Sequence, residues 1–153
     1  MGTVLRNSVV VESAPELVFG YVSDMLNELE WNPNVVSMTR LDQGPIRVGS
    51  RYAARWKGSG QSTVEITDYQ PPQRWEAEAT GRGLDIGFRV EVVPEVAGAR
   101  LTITMDLRPK GLLKLAGPMI ARGMQRTEIG NLAAIKRTIE GRPGRDASSR
   151  STG

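Results

Sequence analysis

Three polar residues stand inside an otherwise apolar arc near the C-terminal end of the sequence: Thr127, Glu128 and Asn131. On a helix turning about 100° per residue they fall between Met124 and Ile135 by angle, so they face whatever that helix covers. A carboxyl group held against an apolar surface resists ionisation and gains proton affinity, which suits a general acid or base. Glu128 is the candidate catalytic residue on that ground. Two other readings of the position stay open: a pairing with an Arg from the sheet, or a side chain leaning out at the helix edge. As a trio, the three residues form a polar patch able to orient a ligand's hydroxyl or carbonyl.

The chemistry available elsewhere is narrow. None of the 153 residues is His or Cys, so an imidazole base, a Ser-His-Asp arrangement, a His-ligated metal and a thiol nucleophile are all excluded. An enzyme built on this chain works with carboxylates, Tyr, Lys or Arg. A magnesium or calcium site made of oxygens is formally open, but no Asp/Glu cluster at loop spacing supports it. No metal and no cofactor is assigned. Gly58-Ser59-Gly60 and Gly81-Arg82-Gly83 lack both the phosphate-loop motif and a following helix, and read as hairpin turns.

The aromatic residues give the second pattern. Tyr52, Trp56, Trp75 and Phe88 sit on the apolar phase of their segments, as does Met105 further on. If that face is concave, they point toward the helix, opposite Ile120 and Met124. Aromatic walls suit a planar apolar ligand. The same residues also suit a solid core, and spacing does not choose between the two. Trp31 is read as structural, packing a loop at the rim of that face.

These residues need elements to position them. Gly117–Glu140 predicts one long amphipathic helix, with Pro118 in its first turn and Gly141 as its stop. Ile120, Gly123, Met124, Thr127, Ala134, Ile135 and Ile139 share an arc, with Ala121 and Leu132 at its edge. Arg122, Arg126, Lys136, Arg137 and Glu140 lie opposite. Thr3–Glu12 predicts a first strand. Ser13-Ala14-Pro15-Glu16 starts a helix, and a second short one is expected from Asp24 to about Glu30, before Trp31-Asn32-Pro33. From Val35 the period becomes two: Val36, Met38 and Arg40 share a face, and later segments alternate likewise up to Leu107. One apolar and one polar face per strand implies an antiparallel meander of six or seven strands, wetted on one side, which must curl and be covered. The long helix is the available cover. Lys110–Ala116 reads either as a helical turn or as a flexible apolar flap.

Length and composition fit one α+β domain. At 39% hydrophobic and 24% charged, with no run of about 18 apolar residues and no apolar signal-peptide run at the N-terminus, a cytoplasmic location is expected. The net charge of +3 is unevenly spread. Residues 1–109 hold 11 basic and 14 acidic groups, 110–140 hold 6 and 2, and 141–153 hold 3 and 1. The basic excess therefore sits on the helix and tail. It reads as a solvated face, or as a surface for an anionic lipid or partner; without interleaved aromatics, nucleic acid is not expected. The tail 141–153 is expected to be disordered and the domain to span 1–140.

Several segments, in order, resemble the START-like (SRPBCC) superfamily, specifically its small polyketide cyclase/dehydrase-like branch. They are Ala14-Pro15-Glu16 with Val18-Phe19, Asp24…Asn27…Glu30-Trp31-Asn32-Pro33, and Val48-Gly49. Asp68-Tyr69-Gln70-Pro71-Pro72 and Asn131-Leu132…Ile135-Lys136…Ile139-Glu140 complete the set. The resemblance covers residues 3–140. It implies the helix-grip fold: a seven-stranded curved antiparallel sheet around a long C-terminal helix, with two short helices between strands one and two. It also implies a cavity between sheet and helix for an apolar or aromatic small molecule, lipid- or polyketide-like. The matching motifs build the fold and carry over no catalytic set. An apolar small-molecule binder is thus the first expectation, acting as monomer or homodimer without stable membrane insertion. A cyclase/dehydrase-type enzyme using carboxylate acid/base catalysis is the alternative. A peripheral membrane or partner-docking module using the basic helix is the third.

Overall fold

The structure is a computed structural model and describes residues 2–58 and 60–142. Chain order is β1 (Thr3–Val11), α1 (Pro15–Val22), a 3-10 turn (Met25–Asn27), α2 (Glu28–Trp31), β2 (Val35–Arg40), β3 (Arg51–Trp56), β4 (Gly60–Gln70), β5 (Arg74–Thr80), β6 (Leu84–Glu95) and β7 (Gly98–Pro109). A 3-10 segment (Gly111–Ala116) then leads into α3 (Gly117–Glu140). All seven strands form one antiparallel sheet in the order β1-β7-β6-β5-β4-β3-β2. This is the helix-grip arrangement, and α3 is its cover.

Period-two alternation sets the inner face. Val64, Ile66, Ala77, Ala79, Val90, Val92, Leu101, Ile103, Met105 and Leu107 are all buried, and their strand neighbours carry the Arg and Glu of the wet face. Two bulges shift the phase. One between Val35 and Ser37 turns Val36 outward, 53% exposed, and packs Val35 against the core. Val36 therefore does not share a face with the buried Met38, contrary to strict alternation. The other, between Ile66 and Asp68, brings Tyr69 inward against Phe19 of α1, with ring centroids 5.7 Å apart.

The face that α3 buries is rotated from the apolar arc expected of its sequence. Ala121, Glu128, Asn131, Leu132, Ile135 and Ile139 are buried, whereas Gly123 is exposed and Ala134 only half-buried. The cause is the edge strand. Gln125 and Asn7 of β1 exchange two amide hydrogen bonds, 2.7 and 3.1 Å. Lys136 Nζ donates to Val10 O at 2.9 Å, and Glu12 N donates to Glu140 Oε2 at 2.8 Å. β1 is a sheet edge whose free backbone groups need partners. Lys136 and Glu140, which the helical wheel assigns to the outer side, supply them.

Among the described residues the sheet does not close on itself by a ladder. Its two edges, β1 and β2, are joined through helices: α3 packs on β1, α2 packs on α3, and α2 packs on β2.

The segment Lys110–Ala116, open in the sequence, is a 3-10 turn whose Leu112 and Leu115 are 88% and 85% exposed. Leu113 rests on Gly83, where a Cβ would collide with its side chain. At the C-terminal end, Gly141 stops α3 and Arg142 lies over the Tyr21 ring, 4.6 Å from its centroid. Contacts with the domain therefore reach Arg142; the expectation for 143–153 lies outside the described residues.

Candidate functional site

A cavity of about 510 Å³ lies between the inner sheet face and α3, within the usual range for small-molecule sites. Its wall includes nine of the ten residues named from sequence: Trp56, Trp75, Phe88, Met105, Ile120, Met124, Thr127, Glu128 and Asn131. Tyr52 is not on it. That side chain is fully buried, with its hydroxyl 3.5 Å from Asp24 Oδ1. Tyr52 shares the inward phase of Trp56 but lies deeper along β3, inside packed core, which is a correction to its placement among the candidates.

Glu128 faces inward and is 7% exposed. Its Oε1 accepts from Asn131 Nδ2 at 3.4 Å, and its Oε2 has no hydrogen-bond partner among the described residues. No Arg or Lys among them pairs with it, so neither the Arg pairing nor the outward lean describes this residue. Burial pushes its pKa from 4.5 up to about 7; the Asn131 hydrogen bond opposes this, and the nearby charge of Glu28 adds to it.

Glu28 is the residue that sequence reasoning missed. It opens the four-residue α2, is 9% exposed, and lines the same cavity. Its Oε1 accepts from Asn32 Nδ2 at 2.7 Å and from Trp56 Nε1 at 3.2 Å. Burial raises its pKa, and those two hydrogen bonds pull the other way. A helix of one turn has no periodicity to reveal its inner face. The available signal was local: Glu28 and Asn32 are four residues apart, directly before Pro33.

Trp31 also belongs to the cavity wall and not only to its rim. The indole N–H groups of Trp31 and Trp75 are buried and have no partner among the described residues. Together with Glu128 Oε2, they make three unmatched polar atoms on residues lining one apolar space. Asp24 and the exposed Lys57 complete the charged groups on the wall. Asp24 is already engaged, since its Oδ1 accepts from Leu26 N at 3.0 Å.

The arrangement sets aromatic rings around an apolar space and places in it one carboxyl group whose pKa burial raises to about 7. With no His in the sequence, it offers no imidazole base. Among the described residues there is no group of three or more acidic side chains placed to hold a metal ion. No helix among them is long and apolar enough to cross a membrane.

Known proteins share this architecture. The Zhui aromatase/cyclase from Streptomyces sp. R1128 superposes with a TM-score of 0.77 at 14% identity, covering 92% of this chain and 94% of that one. The di-domain aromatase/cyclase StfQ of the steffimycin biosynthetic pathway gives 0.76 at 16% identity, over 94% of this chain and 52% of that one. The protein TTHA0849 from Thermus thermophilus gives 0.74 at 17% identity, over 90% and 97%. At these identities the likeness is one of fold. No curated protein matches the chain in sequence. The profile of the family described as "Polyketide cyclase / dehydrase and lipid transport" matches residues 3–140, nearly the whole described chain, and the protein belongs to that family.

Proposed function

We propose that this protein binds an apolar or aromatic small molecule, lipid- or polyketide-like, in the cavity between the sheet and α3. The observation that carries the reading is the wall itself: Trp56, Trp75 and Phe88 border an internal space of about 510 Å³ that the protein's own side chains leave unfilled. A core of this size normally closes to crystal-like density. Family membership and the aromatase/cyclase folds support binding of this general kind. The test is titration with an environment-sensitive hydrophobic fluorophore on folded protein, paired with thermal melts. Binding raises the melting temperature with ligand concentration by linkage. A native protein that binds no apolar probe refutes the reading.

A second reading, a cyclase/dehydrase-type enzyme, is favoured by one observation: Glu128 is a buried acid on the cavity wall with one carboxyl oxygen unmatched among the described residues, and burial raises its pKa to about 7. Such a group takes a proton from carbon or gives one to a departing hydroxyl with little driving force lost. Under this reading Glu128→Gln retains ligand affinity and loses turnover of a poly-β-ketone mimic. Equal turnover in the variant removes Glu128 from the mechanism.

A further inference from the structure

The titratable groups on the cavity wall are mostly acidic, whereas the chain as a whole is basic. The protein carries +3. Its cavity wall carries three carboxylates, Asp24, Glu28 and Glu128, against one ammonium, Lys57, whose residue is exposed. Asp24 caps the 3-10 turn. Glu28 and Glu128 face the apolar space from two different helices, and neither forms an ion pair with a basic side chain among the described residues. Glu128 Oε2, more than nine-tenths buried as a residue, is unmatched there.

Resting on the ligand-binding reading above, we infer that the cavity is built for a cation: a hydrophobic organic amine in its protonated form. The ammonium sits between Glu28 and Glu128, and the apolar body lies against Trp56, Trp75 and Phe88. Two buried carboxyl groups without a basic neighbour stay neutral by holding protons, or become charged only when a counter-charge arrives. An ammonium brings that counter-charge and the N–H donors for the unmatched oxygen in one group. The surrounding indole and phenyl faces are attractive to a cation as well. A neutral ligand supplies no counter-charge, and an anionic one, such as a fatty acid, adds a like charge to the pair.

Three probes that share one ring system test this: an anthracene bearing an aminomethyl, a hydroxymethyl or a carboxyl group at the same position, titrated near neutral pH by calorimetry. The ammonium is expected to bind about tenfold or more tightly than the alcohol, with the carboxylate weakest. The charged groups facing it are Asp24, Glu28, Lys57 and Glu128. As pH rises through the Glu128 pKa of about 7, ammonium affinity increases while that of the alcohol does not. In Glu28→Gln/Glu128→Gln the ratio of ammonium to alcohol affinity, both measured in the variant, falls to about one; the single variant Glu128→Gln reduces that ratio should the double variant fail to fold. An alcohol that binds wild type as tightly as the ammonium overturns the inference and leaves the proposed function standing. Absence of binding by all three overturns both.

Discussion

Glu28 and Glu128 approach one cavity from opposite ends of the sequence, each accepting a hydrogen bond from an asparagine of its own helix region, Asn32 at 2.7 Å and Asn131 at 3.4 Å. The two sites are built alike but matched unequally, since Glu28 also accepts from Trp56 Nε1. Glu128 is the less satisfied member, and its properties are the easier to perturb.

The first prediction is a pH dependence of stability. The folded pKa of Glu128 is about 7 against an ordinary value of 4.5, so the folded state holds a proton that the unfolded chain releases. Stability from this group is full below about 4.5 and is lost as pH rises toward 7, by about 3 kcal/mol in all. Glu28, also raised, acts in the same direction. Thermal melts are expected to show Glu128→Gln gaining on wild type between pH 5 and pH 8. Parallel curves would contradict the burial of this carboxyl group.

A second prediction concerns the cover. Ile135 is fully buried on α3 and Ile139 nearly so. Ile135→Ala is expected to cost about 2–5 kcal/mol, and Ile135→Asp to unfold the domain. Arg122→Glu, on an exposed position, should stay within about 0.5 kcal/mol of wild type. Urea titration decides it, and equal tolerance at both positions would mean that α3 does not seal the core.

The cavity wall and the packed core should separate by mutation. Phe88 lines the cavity and Tyr52 does not. Phe88→Ala is expected to weaken binding of a hydrophobic fluorophore by about tenfold, since each 1.4 kcal/mol of lost contact is one decade. Tyr52→Phe should leave probe affinity unchanged while shifting the melt slightly. The reverse pattern would relocate the site.

The end of the domain can be mapped in the same way. Removing residues 143–153 is expected to leave the melting temperature unchanged. Arg142→Ala removes the guanidinium over Tyr21 and should cost about 0.5–1 kcal/mol. A truncation that is as harmful as the point substitution, or more so, would show that the last eleven residues dock as well.

Much of this architecture is legible in the sequence because strand alternation and a long amphipathic helix are statements about faces. Trp56, Trp75, Phe88 and Met105 are placed inward by phase alone. Phase says nothing about depth along a strand, which is why Tyr52 reads like Trp56 and yet lies in solid core. It also fails wherever a bulge intervenes, as at Val36. Glu28 is silent for another reason: its burial comes from Trp56 and α3, partners far away in the chain, and a single helical turn carries no period. Lys136 and Glu140 look solvated until the open edge of β1 is in place to accept them.

The closure of the ring through β1, α3, α2 and β2 has a mechanical meaning. Six joints of the ring are backbone ladders, with spacing fixed near about 4.8 Å. The joints made by helices rest on side-chain packing, which tolerates small sliding. Glu28 rides on α2 and Glu128 on α3, so the two carboxyl groups sit on the jaws of a calliper whose frame is the rigid sheet. The distance between the two carboxyl groups is therefore set by side-chain packing between α2 and α3, and not by any strand pairing.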